Sequence, residues 1–217
     1  ENKENKKEKK KFSENDKLGG DDPYSASKAS SEIILNCYRK FNPKIKLISV
    51  RAGNIIGGGD FGKNRIIPDL VKAWKNKKTL LIRNPESTRP WQYVLDVLFS
   101  YMRIIEKSFK ITKAPSSFNI GPFISNLKVK NLISKFKLHF KDLNFKNKKI
   151  KRNNFEKKHL NLNIKRSIKF LNLKNDINLN ERIERTANLY KQILNTKNKH
   201  TLENVYKVEA LNFLEKK

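Results

Sequence analysis

The stretch of residues 22–59 combines the start of a helix, a buried strand and a glycine-rich loop. Asp22 can accept hydrogen bonds from the first helical turn and Pro23 suits its first position, so a helix is predicted from there to about Phe41. The apolar run at residues 44–50 is typical of a strand buried in a parallel sheet. A helix followed by such a strand is the repeating unit of a doubly wound α/β fold.

Apolar residues recur at spacings of three or four along this helix and predict a face that packs on a core. They are Ala26, Ala29, Ile33, Cys37 and Phe41. The same reasoning predicts further helices at 65–75, 97–107, 126–140, 165–171, 179–194 and 201–217, and strands at 79–82 and 117–120. Helices and strands therefore continue to alternate after the first pair.

Tyr24 and Lys28 carry the chemistry of the first helix. Four residues apart, they lie on one helical face. A lysine ammonium beside a phenol stabilises the phenolate, which would let Tyr24 act as a base. The pattern is weak evidence by itself, because a lysine-rich chain contains many chance matches and the alternative is a solvated helix face.

The surrounding sequence gives the pattern a context. Residues 19–29 read GGDDPYSASKA, residues 51–60 RAGNIIGGGD, residues 65–69 RIIPD and residues 82–94 IRNPESTRPWQYV. This series resembles the extended short-chain dehydrogenase/reductases that act on nucleotide sugars, and within them it is similar to the CDP-glucose 4,6-dehydratases. The match is dense from about residue 14 to residue 122 and thins afterwards.

The resemblance implies a partial doubly wound, Rossmann-type parallel sheet with helices, followed by a smaller C-terminal α/β substrate-binding lobe. It implies NAD as cofactor, CDP-glucose as substrate, CDP-4-keto-6-deoxyglucose as product and a homodimer in the complete enzyme. Tyr24 would remove the proton of the C4 hydroxyl, and Lys28 would hold the tyrosine charge and contact the nicotinamide ribose. A nucleotide-sugar 4-epimerase would share both residues and stays open as an alternative.

Five residues are predicted to hold the substrate. Arg89 is expected to clamp the diphosphate, because a guanidinium offers a rigid fork of donors that fits phosphate oxygens. By resemblance, Asn54 would reach the substrate or the nicotinamide, Arg65 would lie near the nucleotide, and Asn119 would contact the diphosphate. Arg51 completes this set of substrate-binding residues.

The glycine fingerprint of a dinucleotide-binding turn is absent from the 217 residues. None of the eight glycines opens a helix after a strand at the required spacing. We therefore expect the C-terminal part of an enzyme, able to bind a nucleotide sugar but not to hold NAD, and nearly inactive alone. The predicted divisions are a solvated basic loop at 1–18, Rossmann-like segments at 19–122, and the substrate lobe with C-terminal helices at 123–217.

A formal net charge of +28 raises the question of nucleic-acid or anionic-membrane binding. The charge is spread along the chain, with Lys and Asn at scattered positions, which favours a compositional drift; a basic nucleic-acid-binding fragment stays an alternative. No apolar run is long enough to cross a membrane, and the single Cys37 fits a cytoplasmic setting. No metal site is expected, because His139, His159, His200 and Cys37 share no ligand spacing.

Overall fold

The computed structural model describes residues 11–123, 127–147, 159–173 and 177–217, and within these ranges it contains seven helices and eight strands. The helices are α1 (Pro23–Phe41), α2 (Ile66–Lys75), α3 (Val94–Lys110), α4 (Val129–Lys137), α5 (Lys165–Leu171), α6 (Leu179–Asn195) and α7 (Lys199–Leu214). The strands are β1 (Ser49–Ala52), β2 (Ile55–Ile56), β3 (Leu80–Ile82), β4 (Thr88–Arg89), β5 (Gln92–Tyr93), β6 (Ser117–Ile120), β7 (Leu127–Lys128) and β8 (Phe145–Asn147).

Parallel strand pairs confirm the predicted α/β class. β1 pairs with β6, β2 with β5 and β3 with β8, all in parallel, whereas β4 pairs with β7 antiparallel. The first strand begins at Ser49 and not at residue 44 as predicted. Its ladder starts there because the partner strand β6 begins only at Ser117, directly opposite Ser49.

The larger hydrophobic core joins α2, β3, α4 and α6. Its fully buried members include Leu70, Ile82, Leu132, Phe136 and Tyr190. A smaller core lies between β6, α3 and α5. The larger core thus unites side chains from both sides of the predicted division at residue 122.

Of the two predictions made for helix α1, one is confirmed and one is wrong. Its predicted cap is confirmed, since the Asp22 carboxylate accepts the backbone N–H groups of Tyr24 and Ser25. Its apolar stripe is not buried, however: no residue of α1 is buried, and Phe41 is 85% exposed. Amphipathic spacing shows that a face can pack, but only a neighbouring element can cover it. No helix in the described ranges is long and apolar enough to cross a membrane.

The start of the described chain lies within the predicted loop at 1–18 and has contacts with the rest of the fold. Residues 1–10 of the predicted solvated loop lie outside the described residues, but Phe12 and Glu14 are bonded to the fold. Phe12 forms an isolated bridge with Leu162, and the Glu14 carboxylate accepts the backbone N–H of Asn119 at 2.9 Å. The Glu14 carboxylate thus gives an edge amide of β6 a hydrogen-bond acceptor that it would otherwise lack.

Helix α7 is fastened to the rest of the fold by buried polar contacts. The Tyr93 hydroxyl donates to Glu209 at 2.7 Å, and Arg185 of α6 donates to the same carboxylate oxygen at 2.7 Å. Burial, reinforced by Glu209, raises the pKa of Tyr93. The Phe213 ring packs against Tyr93 as well. Helices α6 and α7 are therefore held firmly behind the loop that follows β2.

Candidate functional site

A cleft of about 1000 Å³ lies where the loops after β2 and β3 face the start of α1. Four of the residues predicted to bind substrate or cofactor line it: Tyr24, Asn54, Arg65 and Arg89. Its other charged lining residues are Asp60, Asp69 and Arg83. Three arginines against two aspartates favour an anionic ligand in this cleft.

Tyr24 enters the cleft from the first turn of α1. Its backbone N–H is capped by Asp22, and its side chain is 72% exposed. The Lys28 ammonium lies over the phenol, with Nζ 5.6 Å from the ring centroid. Helix α1 therefore places the Tyr24 phenol at the cleft with the Lys28 ammonium beside it, as the four-residue spacing predicts.

The glycine-rich loop after β2 also lines the cleft and lies close to the C-terminal helices. A Cβ on Gly58 would meet the Leu189 side chain of α6 at 2.4 Å. Gly59 has φ +89°, and a Cβ there would meet the Tyr206 hydroxyl of α7 at 2.3 Å. Gly58 is required because the Leu189 side chain occupies the space of a Cβ, and Gly59 because its positive φ is a conformation that residues with side chains rarely adopt.

The arginines of the cleft differ in exposure. Arg89 on β4 is only 7% exposed, and its Nη1 donates to the Thr88 carbonyl at 2.8 Å. The side chain of Arg65, directly before α2, is 68% exposed and pairs with Asp60 at 2.9 Å. Arg83, after β3, donates to the Asn64 carbonyl at 3.2 Å. The cleft thus contains one nearly buried guanidinium and two at the surface.

Arg51 and Asn119 lie opposite each other on β1 and β6 and do not line the cleft. The Arg51 guanidinium pairs with Glu32 of α1, from Nε to Oε1 at 2.6 Å. The Asn119 amide is 1% exposed and donates to the Phe12 carbonyl at 2.9 Å. In this structure Arg51 secures α1 and Asn119 crosslinks the neighbouring segments. Their contact with a substrate stays a prediction.

The Glu32–Arg51 pair makes the attachment of α1 sensitive to pH. The Arg51 hydrogen bond holds the pKa of Glu32 below its ordinary value. A carboxylate whose pKa is lowered by folding stabilises the fold above the unfolded pKa of about 4.3, and loses that contribution as the pH falls through the folded value. We therefore expect Glu32→Gln to lower the free energy of local opening of α1 by about 1 kcal/mol at pH 7. This difference should become smaller as the pH falls below about 4.

Hydrogen exchange of the α1 amides at pH 7 would measure this loosening. Glu106→Gln is the matched control, since Glu106 pairs with Arg103 and Lys110 on the exposed surface of α3. It should leave exchange in α1 unchanged. Equal protection of α1 in the wild type and in Glu32→Gln would show that the pair does not hold the helix.

Several site residues were missed by reasoning from sequence. Asp60 and Tyr190 both line the cleft, although neither was among the predicted site residues. His159 is half-buried and shares a 2.9 Å hydrogen bond with Thr88. No cluster of three or more His, Cys, Asp or Glu residues able to hold a metal occurs in the described ranges.

Comparison with known proteins gives the site its context. The model of the NAD dependent epimerase/dehydratase family matches residues 2–121. CDP-glucose 4,6-dehydratase of Salmonella typhimurium is 42% identical over 120 residues, covering 51% of this chain and 33% of that protein. dTDP-D-glucose 4,6-dehydratase of Dictyostelium discoideum is 33% identical over 115 residues, covering 52% and 25% respectively. The aligned regions thus span a third or less of the curated relatives.

Solved structures share the fold of this chain. An epimerase from Methanothermobacter thermautotrophicus superposes with a TM-score of 0.71 at 18% identity, covering 88% of this chain and 54% of that protein. dTDP-glucose 4,6-dehydratase from Bacillus anthracis, solved with NAD, gives a TM-score of 0.67 at 17% identity, covering 90% and 59%. These similarities confirm the Rossmann-like α/β fold.

Proposed function

Since the chain belongs to the NAD dependent epimerase/dehydratase family, we propose that its cleft binds a nucleotide sugar and presents the sugar to Tyr24. One observation carries the proposal: Tyr24 lines the same cleft as Arg65 and Arg89. A group that can accept a proton and groups that can hold a diphosphate thus face a single space. The substrate we propose is CDP-glucose, and the reaction its 4,6-dehydration.

The arginines are suited to the diphosphate of such a substrate. Arg89 is nearly buried, so its hydrogen bonds to phosphate oxygens would form in partial shelter from water, where they are strong. Arg65 is exposed and can approach the second phosphate from the loop side. Asn54 lies in the same lining and can donate an amide N–H to the sugar or its phosphate.

Tyr24 supplies the proton chemistry. Tyr24 would take the proton of the C4 hydroxyl as the hydride leaves C4 for the acceptor that bound NAD would supply, and the Lys28 ammonium lies over its ring, 5.6 Å from the centroid. The resulting C4 ketone would make the C5 proton acidic, so that the C5 proton and the C6 hydroxyl could leave as water, and return of the hydride to C6 would give the 6-deoxy sugar.

The residues present fit one end of NAD. Tyr24 and Lys28 stand beside the cleft on α1, and Asn54 lines it, so a nicotinamide ribose could contact all three. The 217 residues contain no glycine turn of the dinucleotide-binding spacing, which would supply the main pyrophosphate contacts. NAD, when bound, supplies the acceptor and donor of the hydride in this family of reactions.

The choice of dehydratase over epimerase depends on the 42% identity to the Salmonella typhimurium CDP-glucose 4,6-dehydratase. A nucleotide-sugar 4-epimerase would use Tyr24 and Lys28 in the same way but return the hydride to C4. Product analysis in a version that also carries a dinucleotide-binding glycine turn would separate the two, since only the dehydratase yields a 4-keto-6-deoxy sugar.

Calorimetric titration of the 217-residue chain tests the binding half of the proposal. We expect saturable binding of CDP-glucose and at least about tenfold weaker binding of NAD, because the arginines of the cleft are present and the glycine turn is not. Glucose 1-phosphate, which lacks the nucleotide and one phosphate, is the matched control and should bind more weakly than CDP-glucose. NAD binding as tight as that of CDP-glucose would contradict the proposal.

A further inference from the structure

Helix α6 holds the loop of residues 57–65 through Tyr190. This side chain is fully buried, and its hydroxyl donates to the Asp60 carbonyl at 2.6 Å. Its ring also meets Phe61 edge to face, with centroids 5.8 Å apart. The backbone at Asp60 is therefore fixed to the larger hydrophobic core, although its side chain stays at the surface.

The Asp60 carboxylate connects this fixed point to Arg65. One oxygen accepts the backbone N–H of Gly62 at 2.9 Å, which closes a tight turn, and the other accepts Nη1 of Arg65 at 2.9 Å. The Arg65 side chain lies across Gly62, where a Cβ would meet its Nε at 3.3 Å. Two contacts therefore restrain the Arg65 side chain, although 68% of it is exposed.

We infer that Asp60 and Tyr190 are positioning residues that hold Arg65 toward the diphosphate of the ligand, an inference that rests on the proposed function. A guanidinium has five N–H donors, so the bond to Asp60 leaves donors for phosphate oxygens. An exposed arginine loses conformational freedom when it binds a ligand, and prior ordering reduces that loss. Asp60 therefore favours the binding of an anion although it is itself negative.

The direction in which Asp60→Asn changes ligand affinity distinguishes a positioning role of Asp60 from a purely electrostatic one. Asp60→Asn keeps an oxygen for the Gly62 amide and removes the ion pair with Arg65. If Asp60 acted only by its charge, this change would tighten the binding of an anion, because it removes a negative charge from the cleft. Positioning predicts the reverse, about tenfold weaker binding of CDP-glucose.

The test is a double-mutant cycle with Arg65→Ala, measured by calorimetry with CDP-glucose and with inorganic pyrophosphate. We expect Asp60→Asn to weaken the binding of both ligands in the wild-type background, but not once Arg65 is alanine, where only the loss of a negative charge remains. Tyr190→Phe, which keeps the ring against Phe61, should weaken binding by about threefold through the same route. A loop that had simply lost its structure would weaken binding in both backgrounds.

The outcomes separate this inference from the proposed function. If the wild type binds CDP-glucose and Asp60→Asn binds it equally or more tightly, the positioning role is wrong and the function stands. If the wild type binds pyrophosphate but not CDP-glucose, the proposed function fails, and the cycle with pyrophosphate still decides the inference. Binding of neither ligand overturns both. If Asp60→Asn does not fold, the cycle is made with Tyr190→Phe, and additive losses there overturn the inference.

Discussion

Replacing Phe136 by alanine is expected to lower the free energy of unfolding by about 3–5 kcal/mol. Phe136 is fully buried in the larger core and stacks on Phe140, with ring centroids 6.3 Å apart. The change removes the aromatic contact and leaves a cavity that the rigid surroundings of α4 and α6 can fill only partly. Because domains are stabilised by only about 5–15 kcal/mol, this change would remove a large fraction of the chain's stability.

Urea unfolding of the wild type and the variant would measure this difference. Phe109→Ala is the matched control, since Phe109 on α3 is 81% exposed and its removal should change stability by less than about 0.5 kcal/mol. A loss below about 1 kcal/mol for Phe136→Ala would show that the larger core does not stabilise the chain as its packing indicates.

Local patterns in the sequence were sufficient to predict several helices and strands and one helix cap. The strand Ser117–Ile120 occurs as predicted, and helix α6, predicted at 179–194, extends over Leu179–Asn195. The cap at Asp22 forms because the acceptor and the amides lie within three residues of each other. The cap and the helix depend on contacts close in the sequence, whereas the strand Ser117–Ile120 was predicted from its composition although its partner β1 is distant.

Contacts between distant residues could not be predicted in this way. Tyr190 and Asp60 are separated by 130 positions, and no periodicity relates a buried hydroxyl on a helix to a loop carbonyl. The pair of Arg51 with Glu32 depends on how α1 lies against β1, which the pattern of neither element determines. The same limit applies to the exposed stripe of α1, because amphipathic spacing does not say whether a covering element is present.

Replacing Arg89 by alanine is expected to weaken CDP-glucose binding by about 100-fold while the fold stays intact. Charge-assisted hydrogen bonds to phosphate are worth about 1.5–3 kcal/mol, and a guanidinium that is only 7% exposed forms them with little competition from water. Arg89→Lys retains the charge but loses the planar fork, so we expect an intermediate loss of about tenfold. Calorimetric titration of the three proteins with CDP-glucose gives these ratios directly.

The control is Arg103→Ala, which removes the same charge from α3, where the arginine pairs with Glu106 outside the cleft lining. It should change affinity by less than about twofold, since exposed charges at a distance are screened by salt. Circular dichroism of each variant shows whether loss of the Arg89 bond to the Thr88 carbonyl disturbs the fold. Equal losses in Arg89→Ala and Arg103→Ala would mean that the general positive field attracts the ligand, and would remove Arg89 from the binding site.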